Sequence, residues 1–332
     1  MTARIFICYL GTLPLFFSGV SAHSTQDVRN KVLVIGIDGL RPDAMRAANT
    51  PNLNALIANG AYSDKAQGGR FTVSGPGWSN LLTGVWEQKH GVTDNSFNGR
   101  NYGQYPDFFT RLERFRPELQ TESLVSWVPI NDLIVSRADY EFTHDYEDNG
   151  DVRVVEAAAD RLRNHDPDAI FVYFADVDVA GHTYGFHPSV SEYVAEIEQV
   201  DAQIGEILTA LKSRQAYAKE NWMILVSSDH GGIGTGHGGG LPEQRTIPFI
   251  VSGASAARGA IEPAPNQVDI AVTALTFLGV RIDPKWELDG APVGLRDIDR
   301  ARFIRRRDGL LFRIGQLIAG QPQINEMKHG HS

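Results

Sequence analysis

The sequence has almost no cysteine. Its one cysteine, Cys8, falls within residues 1–22, which have the pattern of a secretory signal peptide. That pattern combines the charged residue Arg4, the apolar run Ile5–Phe17 and the small-residue cleavage site Val20–Ala22. We therefore expect an exported chain, periplasmic or secreted, without cysteine. This excludes disulfide bonds and thiolate ligands, so any metal site must use histidine and carboxylate side chains.

Long apolar runs and excess positive charge are also missing. The first apolar run is interrupted by Pro14 and is shorter than the roughly 20 residues that a membrane-spanning helix needs. We expect cleavage of this leader and no transmembrane span, the alternative being a retained membrane anchor. The formal net charge is −9. This charge argues against a nucleic-acid-binding module and against non-specific binding to anionic lipid.

The chain does contain an alternation of strand and helix patterns, without an internal repeat. Its 332 residues suit one large domain, which we place at residues 23–296, followed by a basic C-terminal hairpin and tail at residues 297–332. The alternation predicts an α/β fold with three layers, in which helices cover both faces of a mostly parallel sheet. The predicted strands are Val32–Ile37, Ser123–Trp127, Ile170–Phe174, Met223–Ser227 and Ile247–Val251, and the predicted helices include Asp151–Arg163, Ser191–Lys212 and Val268–Leu278.

Two segments depart from this regular pattern. Residues 95–149 are rich in aromatic, Asn and Asp residues, and we expect them to shape a substrate pocket or to form an ordinary surface excursion. Near the C-terminus, Phe303–Ile314 has the pattern of a hairpin that turns at Asp308-Gly309. Its arginines could contact phosphate or a membrane surface, or could lie on a solvated strand face. Residues Lys328–His331 have the pattern of a frayed tail rather than a metal site.

Metal-ligand side chains follow three of the predicted strands. A single pair of this kind could simply cap a strand end. Because the carboxyl ends of parallel strands meet at one edge of a sheet, three such groups predict a shared metal site instead. The candidates are Asp38, the pair Asp178 and His182, and the pair Asp229 and His230, with His237 seven residues after His230.

A hydroxyl group precedes the next helical pattern. Ser74 comes directly before Gly-Pro-Gly and an apolar helical run, which places it at a helix N-terminus. The free N–H groups and the helix dipole at that position favour an anion, such as an alkoxide or a bound phosphoryl group. Alternatively, Ser74 is an ordinary helix cap. Thr72 is a competing nucleophile.

Taken together, these motifs resemble the alkaline phosphatase superfamily, and within it the type I phosphodiesterase/nucleotide pyrophosphatase family. The resemblance extends from about Lys31 to Leu295 and implies an alkaline-phosphatase-like fold. The motifs that carry it are Asp38 in Ile-Asp-Gly-Leu-Arg-Pro-Asp, the hydroxyl at Ser74, Leu-Leu-Thr-Gly followed by Lys89-His90-Gly91-Val92, Asp178-Val-Ala-Gly-His182, and Ser-Asp229-His230-Gly.

The resemblance implies two zinc ions, although Mn²⁺ or Fe could occupy such a site. By this resemblance Asp38, Ser74, Asp229 and His230 hold the ion that activates the nucleophile. Asp178 and His182 hold the second, with His237 as the candidate third ligand, because a similar His-Gly-Gly follows in related ethanolamine-phosphate transferases. In nucleotide pyrophosphatases that last histidine comes much later, where this chain offers only His329 and His331. Asn95 falls where those enzymes have an asparagine that donates to a phosphoryl oxygen.

The implied activity is hydrolysis of a small phosphate ester through a covalent phosphoserine at Ser74. A neutral Asn95 suits the single charge of a diester or nucleotide pyrophosphate. A phosphomonoesterase would need a strong positive charge, which Arg70, Arg100 or Lys89 could supply. A sulfatase would have Arg at Trp78 and a second aspartate at Gly39. Transfer of a phospho-alcohol group, phosphonate hydrolysis and a non-catalytic metal- or phosphate-binding role remain as alternatives.

The leaving group is not specified by any motif. Several aromatic residues could stack on a nucleobase or enclose a choline-like cation, or could be plain core residues. They are Trp78, Trp127, Tyr102, Tyr105, Tyr184 and His187.

Overall fold

The computed structural model describes residues 28–296, so the leader and the C-terminal hairpin predicted above lie outside the described residues. Within this range the strands form one eight-stranded sheet, in the order β4-β3-β5-β1-β6-β7-β2-β8. The strands are β1 Arg29–Ile37, β2 Gly60–Gln67, β3 Thr121–Val125, β4 Tyr140–Thr143, β5 Ala169–Phe174, β6 Glu220–Ser227, β7 Thr246–Gly253 and β8 Gly259–Ala260.

Helices cover both faces of this sheet. The α-helices are α1 Pro42–Ala47, α2 Pro51–Ala58, α3 Ser74–Thr83, α4 Glu87–His90, α5 Phe108–Phe115, α6 Gly150–Asn164, α7 Asp176–Tyr184, α8 Ser191–Lys212, α9 Pro242–Arg245 and α10 Asp269–Phe277. Among the described residues, no helix combines the length and apolar character needed to cross a membrane.

The sequence of β1 explains the three layers. Val32 and Val34 belong to one hydrophobic core, whereas Leu33, Ile35 and Ile37 belong to the other. A strand with both faces buried must be apolar at consecutive positions, which is why this run lacks the usual alternation. The prediction of a three-layer α/β fold is confirmed.

The sheet is mostly parallel, as predicted. Strand β1 pairs in parallel with β5 and with β6, and β3 pairs in parallel with β5 and β4. Strand β7 runs antiparallel to its neighbours β6 and β2. The five predicted strands are present, except that β3 ends at Val125 rather than Trp127. The helix predicted at Ser191–Lys212 has those bounds in the structure.

Candidate active site

The candidate ligands converge because three parallel strands end together. Ile37 at the end of β1 lies opposite Phe174 at the end of β5, and Gly36 lies opposite Ser227 at the end of β6. The residues that follow these strands therefore meet at one edge of the sheet, where sites of parallel sheets form. The next residues are Asp38, the start of α7, and Asp229 with His230.

Asp38, Asp229 and His230 form one buried cluster. His230 Nε2 lies 3.1 Å from Asp229 Oδ2 and 3.5 Å from Asp38 Oδ1. These three atoms are buried and have no hydrogen-bond partner among residues 28–296. The opposite atom of each side chain is occupied: Asp229 Oδ1 accepts from the backbone N–H of Gly39 at 3.2 Å, and His230 Nδ1 lies 3.0 Å from the carbonyl oxygen of Gly231. Each side chain thus turns its free ligand atom toward the same point, as a cation site requires.

Asp38 is held by two aromatic side chains. Trp78 Nε1 donates to Asp38 Oδ2 at 3.0 Å, and the Tyr173 hydroxyl donates to the same oxygen at 2.6 Å. Both aromatic side chains are buried. Trp78 therefore does not face a substrate, and the suggestion that it could stack on a nucleobase is wrong.

Asp178, His182 and His237 form a second cluster beside the first. His182 Nε2 lies 3.3 Å from Asp178 Oδ2 and 2.9 Å from His237 Nε2, and His237 Nε2 lies 3.7 Å from Asp178 Oδ1. The Nδ1 atoms of both histidines face backbone carbonyl oxygens, of Thr235 for His182 and of Thr72 for His237. Because a carbonyl oxygen only accepts, each Nδ1 carries a proton, and each Nε2 points toward Asp178 and the other histidine.

The two clusters share one space. The His230 ring stacks on the His237 ring, with centroids 3.8 Å apart. Ligand atoms of Asp178, His230 and His237 lie within 4.8 Å of one another, as do those of Asp38, Asp229 and His230. The structure thus brings the six predicted Asp and His ligands together at one site, His237 included.

Buried negative charge dominates the electrostatics of the site. Burial and the nearby charge of Asp178 raise the pKa of Asp38 to about 7, and burial with Asp38 raises the pKa of Asp229 well above its usual range. Burial also opposes ionisation of Asp178, but the neighbouring histidines outweigh it and lower its pKa. The hydrogen bond with Asp178 raises the pKa of His182 to about 9, whereas burial lowers the pKa of His230 to about 3. A bound divalent cation would offset this charge, so the residues present fit a metal centre.

Ser74 lies at the mouth of this site as the first residue of α3. Val73 holds the cap position, so Ser74 is not the helix cap. A side chain at Gly77 would place its Cβ 2.7 Å from Asp229 Cβ, so only glycine lets the first turn of α3 pack against Asp229. The competing hydroxyl of Thr72 is buried and bonded to the backbone of Gly239 and Gly238, which leaves Ser74 facing the cavity.

Asn95 contacts the same helix. Its Oδ1 accepts from the backbone N–H of Gly75 at 2.7 Å. Because this bond fixes the orientation of the amide, Nδ2 is the atom left to donate to a ligand.

The site opens into a cavity of about 510 Å³. Among the described residues that line it, none is Arg or Lys. Lys89, one of the three basic candidates, is paired with Asp289 at 2.6 Å instead. The described residues that line the cavity are Asp38, Ser74, Asn95, Trp127, Tyr146, Tyr173, Ala175, Asp178, Val179, His182, Thr183 and His237.

Residues 95–149 contribute three of these lining residues, namely Asn95, Trp127 and Tyr146, so this segment does shape the pocket. The other aromatic candidates do not line the cavity. Tyr102 shares a hydrogen bond with Ser79, Tyr105 donates to Glu287, Tyr184 is exposed, and His187 contacts Ser189.

A larger cavity of about 720 Å³ lies at the opposite end of the strands. It borders Arg29 at the start of β1 and Arg214 after α8. Both guanidinium groups are already paired, Arg29 with Asp166 and Asp168, and Arg214 with Asp166 and Glu220. Although this cavity is the larger of the two, it is remote from the metal-ligand clusters and is not the candidate active site.

Solved structures of other proteins share this fold. The chain superposes on murine ectonucleotide pyrophosphatase/phosphodiesterase 5 with a TM-score of 0.64 and 16% identity, over 77% of this chain and 96% of that one. It superposes on a 2-O glycosaminoglycan sulfatase with a TM-score of 0.65 and 15% identity, over 80% of this chain and 73% of that one. At these identities the likeness shows the fold alone.

Sequence comparison identifies the family. The family model for type I phosphodiesterase/nucleotide pyrophosphatase matches residues 32–237, and the chain belongs to this family. This confirms the resemblance inferred from the motifs.

Two human relatives illustrate the match. Bis(5'-adenosyl)-triphosphatase ENPP4 is 25% identical over 243 residues, which cover 65% of this chain and 51% of that protein. Ectonucleotide pyrophosphatase/phosphodiesterase family member 7 is 24% identical over 230 residues, which cover 62% and 49%. The chain thus spans about half the length of the curated relatives it matches.

Proposed function

We propose that this chain is an exported two-zinc hydrolase that cleaves phosphodiesters or nucleotide pyrophosphates through a covalent phosphoserine at Ser74. One observation carries the proposal: buried ligand atoms without hydrogen-bond partners converge beside a single cavity-lining serine hydroxyl. Such atoms are costly to bury unless a cation pairs with them.

The six side chains and the serine divide between two ions. Asp38, Asp229, His230 and Ser74 would hold one ion, and Asp178, His182 and His237 would hold the other. Carboxylate and imidazole donors suit Zn²⁺, and Mn²⁺ or Fe could bind the same set. Bound Zn²⁺ lowers the pKa of a coordinated hydroxyl and stabilises charge on the leaving oxygen.

The chain's own groups perform the transfer. Ser74 Oγ loses its proton to solvent and attacks phosphorus, the bond from phosphorus to the leaving oxygen breaks, and that oxygen takes up a proton from solvent. Asn95 Nδ2 donates to a non-bridging oxygen. Water then attacks the phosphoserine from the opposite side and Ser74 Oγ departs. Two inversions leave the configuration at phosphorus retained.

The charge of the cavity supports a diester substrate. A dianionic monoester calls for a guanidinium or ammonium group, and the described lining contains neither. Trp127 and Tyr146 offer aromatic surface for a nucleobase or a choline-like head group. Because the ENPP4 relative is a bis(5'-adenosyl)-triphosphatase, a nucleotide is the first substrate to test.

The sulfatase alternative is disfavoured by two positions. Trp78, where a sulfatase has Arg, is a buried donor to Asp38. Gly39 has a φ of +66°, and a Cβ there would lie 2.6 Å from Asp178 Oδ1, so no second aspartate fits.

A substrate screen tests this proposal. The zinc-loaded protein would be assayed with and without chelator on bis-p-nitrophenyl phosphate, thymidine monophosphate p-nitrophenyl ester, p-nitrophenyl phosphate, p-nitrophenylphosphocholine and p-nitrophenyl sulfate. We expect chelator-sensitive hydrolysis that favours the diesters. Preference for p-nitrophenyl phosphate would mean that a cation reaches the site, and preference for the sulfate would refute the zinc phosphodiesterase assignment.

A further inference from the structure

We propose that Gln267, Asn80 and His90 form a hydrogen-bond relay that positions the Asp229–His230 turn for metal binding. The inference rests on the proposed function, because it assigns these three residues a task at the proposed metal centre. None of the three lines the cavity or belongs to either ligand cluster. They would act as positioning residues.

Gln267 makes the contact with the turn. Its Nε2 donates to the carbonyl oxygen of Ser228 at 3.0 Å and to that of Asp229 at 2.7 Å. Both N–H bonds of the amide are thereby used, and the side chain is fully buried. Buried carbonyl groups of a tight turn need such partners, so Gln267 determines where this turn lies.

Asn80 and His90 extend this contact with one defined direction. Gln267 Oε1 must accept, and it receives a bond from Asn80 Nδ2 at 3.1 Å. Asn80 Oδ1 must therefore accept from His90 Nε2, which lies 2.8 Å away. His90 Nδ1 accepts from the backbone N–H of Val92 at 3.1 Å, so both ring nitrogens of His90 have a hydrogen-bond partner. Each donor meets an acceptor, and reversing any amide would set two like groups against each other.

The relay joins segments that are distant in sequence. Asn80 lies in α3, six residues after Ser74, whereas Gln267 lies two residues before the start of α10 and 187 residues from Asn80. The helix that carries the nucleophile is thereby tied to the turn that carries two metal ligands. This gives a task to His90 in the Lys89-His90-Gly91-Val92 motif, which the catalytic steps leave unused.

A one-atom change at Asn80 tests the relay. Asn80→Asp replaces Nδ2 with an oxygen that faces Gln267 Oε1, so the amide of Gln267 is pushed out of its orientation toward the turn. The matched control is Asn131→Asp, since Asn131 is a buried amide whose Nδ2 donates to the carbonyl oxygen of Phe142 at 3.1 Å. Zinc dissociation constants of the full chain would be measured by competition with a chromogenic chelator, and melting temperatures without metal would be recorded.

We expect Asn80→Asp to weaken zinc binding by about 10–100-fold, as loss of a supporting contact to a metal ligand typically does. Asn131→Asp should lower the melting temperature but leave zinc affinity within about threefold. Unchanged affinity in Asn80→Asp, with normal binding by the wild type, would overturn the relay alone. A wild type that binds no zinc would overturn the proposed function as well.

A second pair of variants keeps the test decisive if Asn80→Asp does not fold. His90→Gln retains a donor toward Asn80 Oδ1, and His90→Leu removes it. We expect His90→Leu to weaken zinc binding about tenfold and His90→Gln to keep most of the affinity. Equal affinities in the two variants would contradict the relay.

Discussion

At the scale of single residues, Asp38 shows how the fold makes a ligand from a buried carboxylate. Burial raises its pKa, while the bonds from Tyr173 and Trp78 act in the opposite direction because they stabilise the anion. Both bonds go to Oδ2, so Oδ1 is left facing His230. The two aromatic residues thus determine which oxygen is available to the proposed metal ion.

The change Tyr173→Phe tests this account of Asp38. Loss of the 2.6 Å bond should weaken zinc binding by about tenfold and lower kcat/KM toward a diester by a similar factor. Tyr105→Phe is the control, because that buried tyrosine donates to Glu287 outside the cavity. The account fails if the two variants bind zinc alike.

His90 should give the stability of the protein a pH dependence. Burial lowers its folded-state pKa to about 4, whereas an unfolded histidine has a pKa of about 6.5. Between these values the unfolded chain binds more protons, so the free energy of unfolding should fall as pH falls from 6.5 toward 4. The slope for one such group is at most about 1.4 kcal/mol per pH unit.

Urea unfolding of the zinc-free wild type and of His90→Gln across pH 4–7 measures this contribution. The slope should be shallower in the variant. Parallel pH profiles for the two proteins would show that His90 is not the titrating group.

At the scale of elements, α7 places two ligands by its periodicity. Asp178 and His182 are four residues apart and so lie on one face of the helix. The cap residue Ala175 has no side chain that could cap the helix. Asp151 from α6 does so instead, because it accepts from the N–H groups of Ala175 at 2.9 Å and Asp176 at 3.0 Å.

The change Asp151→Asn should therefore affect both stability and metal binding. The new side-chain NH₂ group would face a backbone N–H group at the start of α7. We expect a loss of about 1–3 kcal/mol in the free energy of unfolding, together with weaker zinc binding. Asp107→Asn is the matched control, since Asp107 is a buried carboxylate that caps α5 through the N–H of Thr110. Urea unfolding and chelator competition should show similar stability losses but lower zinc affinity only for Asp151→Asn.

At the scale of the whole molecule, the sequence predicted best the strands that are buried on both faces. β1 from Val32 onward and β5 are continuous apolar runs. Asp38 follows the end of β1, and the helix that contains Asp178 follows the end of β5. β2 was missed because its sequence, Gly60–Gln67, contains Asp64 and Lys65 and its pairing with β7 shifts register between Ser63 and Ala66. Strand β4 is short and half-exposed, and β8 has two residues, so neither leaves a pattern.

The sequence predicted which candidate ligand residues come together, but not the contacts that support them. Asp38, Asp178 and Asp229 are marked by their position after strands. Tyr173 looks like a core aromatic residue, and Gln267 has no local signal at all. Their roles depend on which distant atoms they meet, and pairings of this kind arise only in the folded chain.

The central claim is that Ser74 is the nucleophile of a metal-dependent diesterase. The most direct measurement is turnover of bis-p-nitrophenyl phosphate by wild type and Ser74→Ala, with zinc content determined for each before and after chelation. We predict that the wild type is active only with zinc, and that Ser74→Ala still binds zinc but loses at least about a thousandfold in kcat. Full turnover by zinc-loaded Ser74→Ala, or undiminished activity of the zinc-free wild type, would contradict the claim.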